Sequence, residues 1–159
     1  MSYPYGKKEV SAWIRDNYPE AVILDVGAGE GTWHELLPEY TMDAVEIYKP
    51  AADKLTGYRN VYVKDIVTYK YRKHYDLIIF GDVLEHLSVE DAQNVIKYAR
   101  GHCEDMIIAV PWMYPQDEVD GNKWQKHLQD DLTPEIFAER YPGFEVLWQN
   151  DLYAYYHVQ

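Results

Sequence analysis

The sequence predicts an α/β fold in which helices cover both faces of a mostly parallel sheet of seven strands. Short apolar runs alternate with amphipathic segments as far as Val110, which is the pattern of parallel strands joined by helices. Nearer the C-terminus, two strand-like runs flank Asn150-Asp151, a pair suited to a two-residue hairpin turn. The sheet is therefore expected to end in a C-terminal antiparallel hairpin.

The first half of the chain contains a helix, three strands and a glycine-rich turn. Val10, Trp13 and Ile14 have the i, i+3, i+4 spacing of an amphipathic helix, and Pro19 ends it. The predicted elements are a helix over Lys7–Asn17, a strand over Ala21–Val26, a turn over Gly27–Gly31, a helix over Thr32–Leu37, a strand over Met42–Ile47, a helix over Ala51–Leu55 and a strand over Asn60–Lys64.

The second half continues the alternation and then departs from it. Ser88 is a plausible N-cap and Gly101 a C′ stop for one helix, and Thr133-Pro134 opens another. The predicted strands are Tyr75–Phe80, Met106–Val110, Phe144–Trp148 and Leu152–Val158. With no repeat, linker or low-complexity tract, residues 1–159 are expected to form a single domain.

One long segment, Pro111–Leu132, lacks periodicity. Structureless loops beyond roughly 12–15 residues inside compact domains are usually functional or disordered. This segment is aromatic, and it leaves the carboxyl end of the fifth strand, the edge where open α/β sheets bind ligands. We expect it to cover a site.

Composition excludes several classes of function. The net charge of −12 disfavours nucleic acid and anionic lipid as partners, because both require a basic surface. Cys103 is the only cysteine, which disfavours a thiolate metal site, and we expect no metal. The N-terminus lacks the pattern of a signal peptide, and no apolar run approaches the roughly 20 residues that span a bilayer. A cytoplasmic location without membrane contact is expected.

Acidic residues end four successive strand regions, at Asp25, Glu46, Asp65 and Asp82. Because parallel strands share their carboxyl edge, these carboxylates should lie along one crevice. Glu46 follows Gly27 by nineteen residues, a spacing at which a carboxylate can accept both hydroxyls of an adenosine ribose. The ligand is therefore predicted to contain adenosine.

The spacing of the glycines argues against a dinucleotide. The dinucleotide fingerprint places its third glycine where this chain has Thr32, and here the third glycine is Gly31. Asp25, directly before the turn, would repel a pyrophosphate and attract a cation. An adenosine with a positively charged tail fits these residues better.

Together these motifs resemble class I S-adenosylmethionine-dependent methyltransferases of the small-molecule, ubiquinone-biosynthesis-type group. Ile23–Gly31 is similar to the first motif of that family, Glu46 to its second-strand acid, Val63–Ile66 to its third-strand motif and Phe80–Leu87 to its fourth. The resemblance covers roughly residues 20–110. It implies a Rossmann-like three-layer sandwich and S-adenosylmethionine as cofactor.

The resemblance also implies roles for individual residues. Gly27, Ala28 and Gly29 would pack against the methionine part of the cofactor, and Asp25 would help to orient its amino group. The other implied cofactor residues are Glu46 at the ribose, Asp65 and Ile66 at the adenine, and Asp82 near the sulfonium.

The acceptor side is less constrained by the sequence. His86 and His127 are candidate general bases, because imidazole titrates near neutral pH. Trp112, Tyr114 and Trp124 are candidate walls of an acceptor site. We expect a small-molecule acceptor and a monomer or homodimer. A cofactor-binding subunit without its own catalysis and a protein methyltransferase remain alternatives.

Overall fold

The structure, a computed structural model, describes residues 4–158. Its strands are β1 (Val22–Val26), β2 (Thr41–Val45), β3 (Asn60–Tyr62), β4 (Tyr75–Gly81), β5 (Cys103–Pro111), β6 (Phe144–Gln149) and β7 (Tyr153–Val158). Its helices are α1 (Lys7–Asn17), α2 (Thr32–Leu36), α3 (Lys49–Ala52), α4 (Val89–Arg100) and α5 (Pro134–Arg140), with 3₁₀ turns over Leu84–His86 and Lys123–Gln125.

The strands form one seven-stranded sheet in the order β3-β2-β1-β4-β5-β7-β6. Strands β1 to β5 pair in parallel, and β7 runs antiparallel to both of its neighbours, β5 and β6. The predicted α/β fold with a mostly parallel sheet and a C-terminal antiparallel hairpin is confirmed. The strand order reverses at β1 and β4, so the crevice between their carboxyl ends is the expected ligand position.

Helices cover both faces of the sheet because successive strand residues point to opposite faces. Leu24 and Val26 pack with the buried side of α4 and with α5. Ile23 packs on the other face with Val10 and Ile14 of α1. The same alternation places Asp25 on the α1 face, where it is 1% exposed.

Several predicted boundaries shift. The helix predicted over Ala51–Leu55 begins at Lys49 instead, with Pro50 in its first turn, where a missing N–H costs no hydrogen bond. The two-residue hairpin turn is wrong, because Leu152 also lies outside the strands. Asn150 shapes this three-residue connection: its Oδ1 accepts from the backbone N–H of Leu152 at 2.9 Å.

No helix within residues 4–158 combines the length and the apolar character that crossing a bilayer requires.

Candidate functional site

A cavity of 360 Å³ lies at the carboxyl ends of β1, β4 and β5. Gly27, Ala28 and Gly29 line one part of it, directly after β1. Asp82 lines another part, directly after β4, and His127 contributes from the long loop. The volume falls in the usual range for small-molecule sites, about 300–1,000 Å³. One cavity therefore joins the glycine turn to the loop that was predicted to cover a site.

The glycine turn has a backbone that side chains rarely allow. Gly27 and Gly29 have φ values of 69° and 55°, in the left-handed region where L-residues with a Cβ are strained. A Cβ on Gly27 would lie 2.6 Å from Cγ2 of Val83. The turn after β1 therefore packs directly on the segment after β4, while Gly27 and Gly29 also line the cavity.

Glu46 is 7% exposed and holds this turn in place. Its Oε2 accepts from the N–H of Gly29 and its Oε1 from the N–H of Tyr48, both at 2.8 Å. Each carboxylate oxygen has a second lone pair, so further hydrogen bonds remain possible. Tyr48 and Ala51, which follow Glu46, line the cavity.

Asp25 lies inside β1 rather than among the lining residues. Its Oδ2 accepts from the hydroxyl of Tyr58 at 2.6 Å, while its buried Oδ1 has no hydrogen-bond partner. Burial raises the pKa of Asp25 to about 7 and outweighs the opposing effects of Tyr58 and the nearby Lys7. Asp25 is thus poised between its neutral and charged forms near neutral pH.

Lys7 is a site residue that the sequence did not indicate. It begins α1, is 5% exposed and lines the cavity. Its Nζ lies 5.0 Å from the ring centroid of Trp33. Burial lowers the pKa of Lys7, although the charges of Asp82 and Asp25 oppose that change. No sequence signal marked it, since a lysine in the first turn of an amphipathic helix is ordinarily solvated.

Asp82 lines the cavity beyond the end of β4. Its backbone has φ 57°, unusual for a residue other than glycine. Its carboxylate accepts a hydrogen bond from the hydroxyl of Tyr153, a residue of β7. The pairing fixes the direction of an acidic side chain at the centre of the site.

Asp65 and Ile66 lie apart from the cavity. The Oδ1 of Asp65 accepts from the backbone N–H of Val67 at 2.9 Å, so it shapes the turn after β3. Ile66 packs against the core and lines a separate cavity of 180 Å³. The structure therefore does not bring these two predicted adenine residues into the space above the glycine turn.

The long loop is ordered against the strand ends by backbone hydrogen bonds. The N–H groups of Leu128 and Gln129 both donate to the carbonyl of Glu85, at 2.8 and 3.0 Å. The side-chain amide of Gln129 donates to the carbonyls of Leu84 and Leu87. These hydrogen bonds hold the loop against the 3₁₀ turn that follows Asp82. The loop therefore forms one wall of the cavity.

The predicted acceptor aromatics divide between cavity, core and surface. Tyr114 lines the cavity. Trp112 lies outside it, because its backbone N–H donates to Leu152 and its ring packs edge-on to Tyr156 in the core. Trp124 is 41% exposed and also lies outside the cavity.

The predicted bases His86 and His127 meet in the cavity, 41 positions apart in the chain, with ring centroids 4.7 Å apart. Burial lowers the pKa of His86 to about 4, and it also lowers the pKa of His127. Glu85, to which the sequence analysis gave no role, adjoins them. Burial, with the charge of Asp82, raises the pKa of Glu85 well above its ordinary value.

Comparisons with known proteins address the fold. No family model matches the sequence, and none of the curated proteins does so. Solved structures do match. An S-adenosylmethionine-dependent methyltransferase from Clostridium acetobutylicum aligns with a TM-score of 0.73 and 14% identity, over 99% of this chain and 92% of its own. The chain has the fold of S-adenosylmethionine-dependent methyltransferases.

Two further structures show the same likeness. CalS10, an amino pentose methyltransferase from Micromonospora echinaspora, has a TM-score of 0.68 and 15% identity, over 100% of this chain and 92% of its own. The 1,6-didemethyltoxoflavin-N1-methyltransferase of Burkholderia thailandensis has a TM-score of 0.68 and 16% identity, over 97% of this chain and 77% of its own. The likeness at this identity concerns the fold.

Proposed function

We propose that this chain transfers a methyl group from S-adenosylmethionine to a small-molecule acceptor. The observation that carries the proposal is the single cavity that joins the glycine turn to the cluster of Asp82, His86 and His127. One space thereby offers a nucleoside-binding turn and, beside it, groups able to handle an acceptor. More narrowly, we propose that the chain resembles ubiquinone-biosynthesis-type methyltransferases, as its sequence motifs indicate.

The residues around the turn fit the proposed cofactor. Gly27 and Gly29 line the cavity, a Cβ on Gly29 would meet no side chain within 4 Å, and Glu46 is hydrogen-bonded to the turn itself. Glu46 would accept the ribose hydroxyls through its remaining lone pairs. Asp25 has an unpaired buried oxygen behind the turn, which an ammonium group nearby would stabilise in its charged form. When bound, S-adenosylmethionine supplies a methyl group already activated by the sulfonium.

The tasks of the chain are then to align the acceptor and to exclude water. The long loop closes the cavity on the side of His127 and Tyr114. The lowered pKa values of His86 and His127 leave both imidazoles neutral at neutral pH. Either ring can therefore accept a proton from an acceptor whose nucleophile must lose one.

Calorimetric titration with S-adenosylhomocysteine tests the cofactor part of the proposal. The wild-type protein should bind one equivalent, and Glu46→Gln should weaken binding by about 10- to 100-fold, since hydrogen bonds to a charged group contribute about 1.5–3 kcal/mol. Glu20→Gln, which removes the same charge from an exposed position, is the matched control. Absence of binding to folded wild-type protein would refute the proposal.

A labelled-methyl assay tests the acceptor class. Protein, labelled S-adenosylmethionine and a cell extract are incubated, and the product is separated into small molecules and macromolecules. The proposal predicts label in the small-molecule fraction. Label confined to protein would support a protein methyltransferase instead, and turnover that appears only with an added partner would support a cofactor-binding subunit.

A further inference from the structure

Three side chains in the cavity form a cluster of the type that binds metal ions. Glu85, His86 and His127 each offer a ligand atom, and these atoms lie within 4.8 Å of one another. All three residues line the cavity. No other group of three or more such side chains arises within the part of the chain that the structure describes.

Both imidazoles are oriented by the backbone. Nδ1 of His86 lies 3.1 Å from the carbonyl oxygen of Lys126, and Nδ1 of His127 lies 2.6 Å from that of Tyr114. A carbonyl oxygen only accepts, so each Nδ1 carries the hydrogen and each Nε2 keeps its lone pair. Metal-binding histidines typically have this arrangement, with the second nitrogen hydrogen-bonded to a carbonyl or carboxylate.

The third group, Glu85, is an incompletely paired buried acid. It is 1% exposed, and its Oε2 has no hydrogen-bond partner. An unpaired buried carboxylate is costly, and proteins ordinarily place such groups beside a cation or a hydrogen-bond donor. Here its neighbours Asp82, His86 and His127 supply negative charge and acceptor nitrogens. Among the described residues, the cluster therefore presents acceptor atoms on several sides of one space.

We propose that Glu85, His86 and His127 bind one divalent transition-metal ion, of the class of Zn²⁺, Fe²⁺ or Co²⁺, in the cavity. Two imidazoles and a carboxylate are a common ligand set for these ions. Ligand atoms at about 2.1 Å from one ion lie roughly 3.0–3.4 Å apart. The ligand atoms lie within 4.8 Å of one another, so a pair at that limit would have to close by about 1.5 Å when the ion binds. This proposal departs from the expectation, drawn from the sequence, that the protein has no metal.

Three protein ligands leave coordination positions open, as in catalytic rather than structural metal sites. Because all three side chains line the cavity that contains the glycine turn, open positions would be accessible from that cavity. If the proposed methyl transfer is correct, on which this step rests, the ion would bind an acceptor through an oxygen. Because the ion would occupy the Nε2 lone pairs of His86 and His127, it would replace these imidazoles in favouring loss of the acceptor's proton. The acceptor class would then be small molecules that carry a hydroxyl or carboxylate beside the nucleophile.

Titration of the metal-free protein with Co²⁺ and Zn²⁺ tests the site, without any acceptor. Visible Co²⁺ absorption reports the ligand field, and calorimetry gives the stoichiometry and affinity. We expect one equivalent of Zn²⁺ to bind, and we expect Glu85→Gln and His127→Gln each to weaken binding at least 10-fold. His74→Gln, which removes an exposed imidazole paired with Glu104, should leave binding unchanged.

Two outcomes would overturn the cation site: no stoichiometric binding to folded wild-type protein, or equal affinity in wild type and both cluster variants. The wild-type titration decides the matter even where a variant fails to fold. S-adenosylhomocysteine is titrated into the same metal-free sample. Cofactor binding without metal binding would reject the cation site alone, and metal binding without cofactor binding would reject the proposed function alone.

Discussion

Replacing Asp25 with asparagine should stabilise the protein above neutral pH. The carboxyl group of Asp25 is 1% exposed, and burial raises its pKa from 3.8 to about 7 in the folded chain. Between about pH 4 and pH 7 the folded protein therefore binds a proton that the unfolded chain has released. The free energy of unfolding must fall as pH rises through this window, and the loss is complete above the folded pKa.

The size of the effect follows from the difference between the two pKa values. About three pH units, at about 1.4 kcal/mol for each, correspond to ~4 kcal/mol between pH 4 and pH 8. Asparagine is neutral and nearly isosteric, and its carbonyl can still accept from the hydroxyl of Tyr58. Asp25→Asn should therefore match wild-type stability near pH 4 and exceed it by a few kcal/mol near pH 8.

Urea denaturation at a series of pH values measures this difference directly. Asp16→Asn, a change at an exposed position, controls for the loss of one negative charge and should leave the pH dependence as in the wild type. Other groups titrate in the same range, but they are common to all three proteins. Parallel pH profiles for wild type and Asp25→Asn would refute the raised pKa.

Three further changes test the turn after β1, a buried ion pair and a helix cap. Gly27→Ala adds a Cβ at φ 69° within 2.6 Å of Val83 and should cost about 2–4 kcal/mol in urea denaturation; an unchanged midpoint would contradict the geometry of the turn. Asp43→Ala removes a fully buried carboxylate paired with Arg59 and should cost about 3–5 kcal/mol, whereas a cost below 1 kcal/mol would mean that the pair is solvated. Ser88→Ala removes the α4 cap and should lower Tm by about 2–4 °C, while Ser88→Asp should retain the wild-type Tm.

Most of the sheet could be predicted from the sequence, because the patterns that indicate strands and helix ends are local. Apolar runs as short as Tyr75–Phe80, followed by a turn residue such as Gly81, favour buried strands. Ser88 and Thr133 accept the cap hydrogen bonds expected of them. The errors also have local causes. The predicted helix over Ala51–Leu55 begins after Pro50, whereas α3 begins at Lys49 and includes this proline in its first turn, where proline is well tolerated.

The position of Asp25 could not be predicted from its distance along the chain to the glycine turn. It ends an apolar run, so it was expected at the crevice with the other strand-end acids. Asp25 lies two residues after Ile23 in β1, so its side chain is on the same face of the sheet, beneath α1, where it is buried. Strand periodicity could have given this result, whereas proximity to the glycine turn in sequence could not.

The proximity of Glu85, His86 and His127 could not be predicted from the sequence, for a different reason. Its members belong to a 3₁₀ turn and to an aperiodic loop, and no local pattern fixes where such a loop lies. The loop is positioned by N–H groups of Leu128 and Gln129 that donate to the carbonyl of Glu85. Such long-range backbone bonds are independent of side-chain type and leave little trace in the sequence.

A crystal structure of the protein with S-adenosylhomocysteine tests the central claim most directly. The proposed function predicts the adenosyl group above Gly27 and Gly29, beside Glu46, with the end of the cavity lined by Asp82, His86 and His127 left open for an acceptor. A cavity without ligand at saturating S-adenosylhomocysteine, or a ligand that fills the Asp82 end and leaves the glycine turn uncovered, would contradict it.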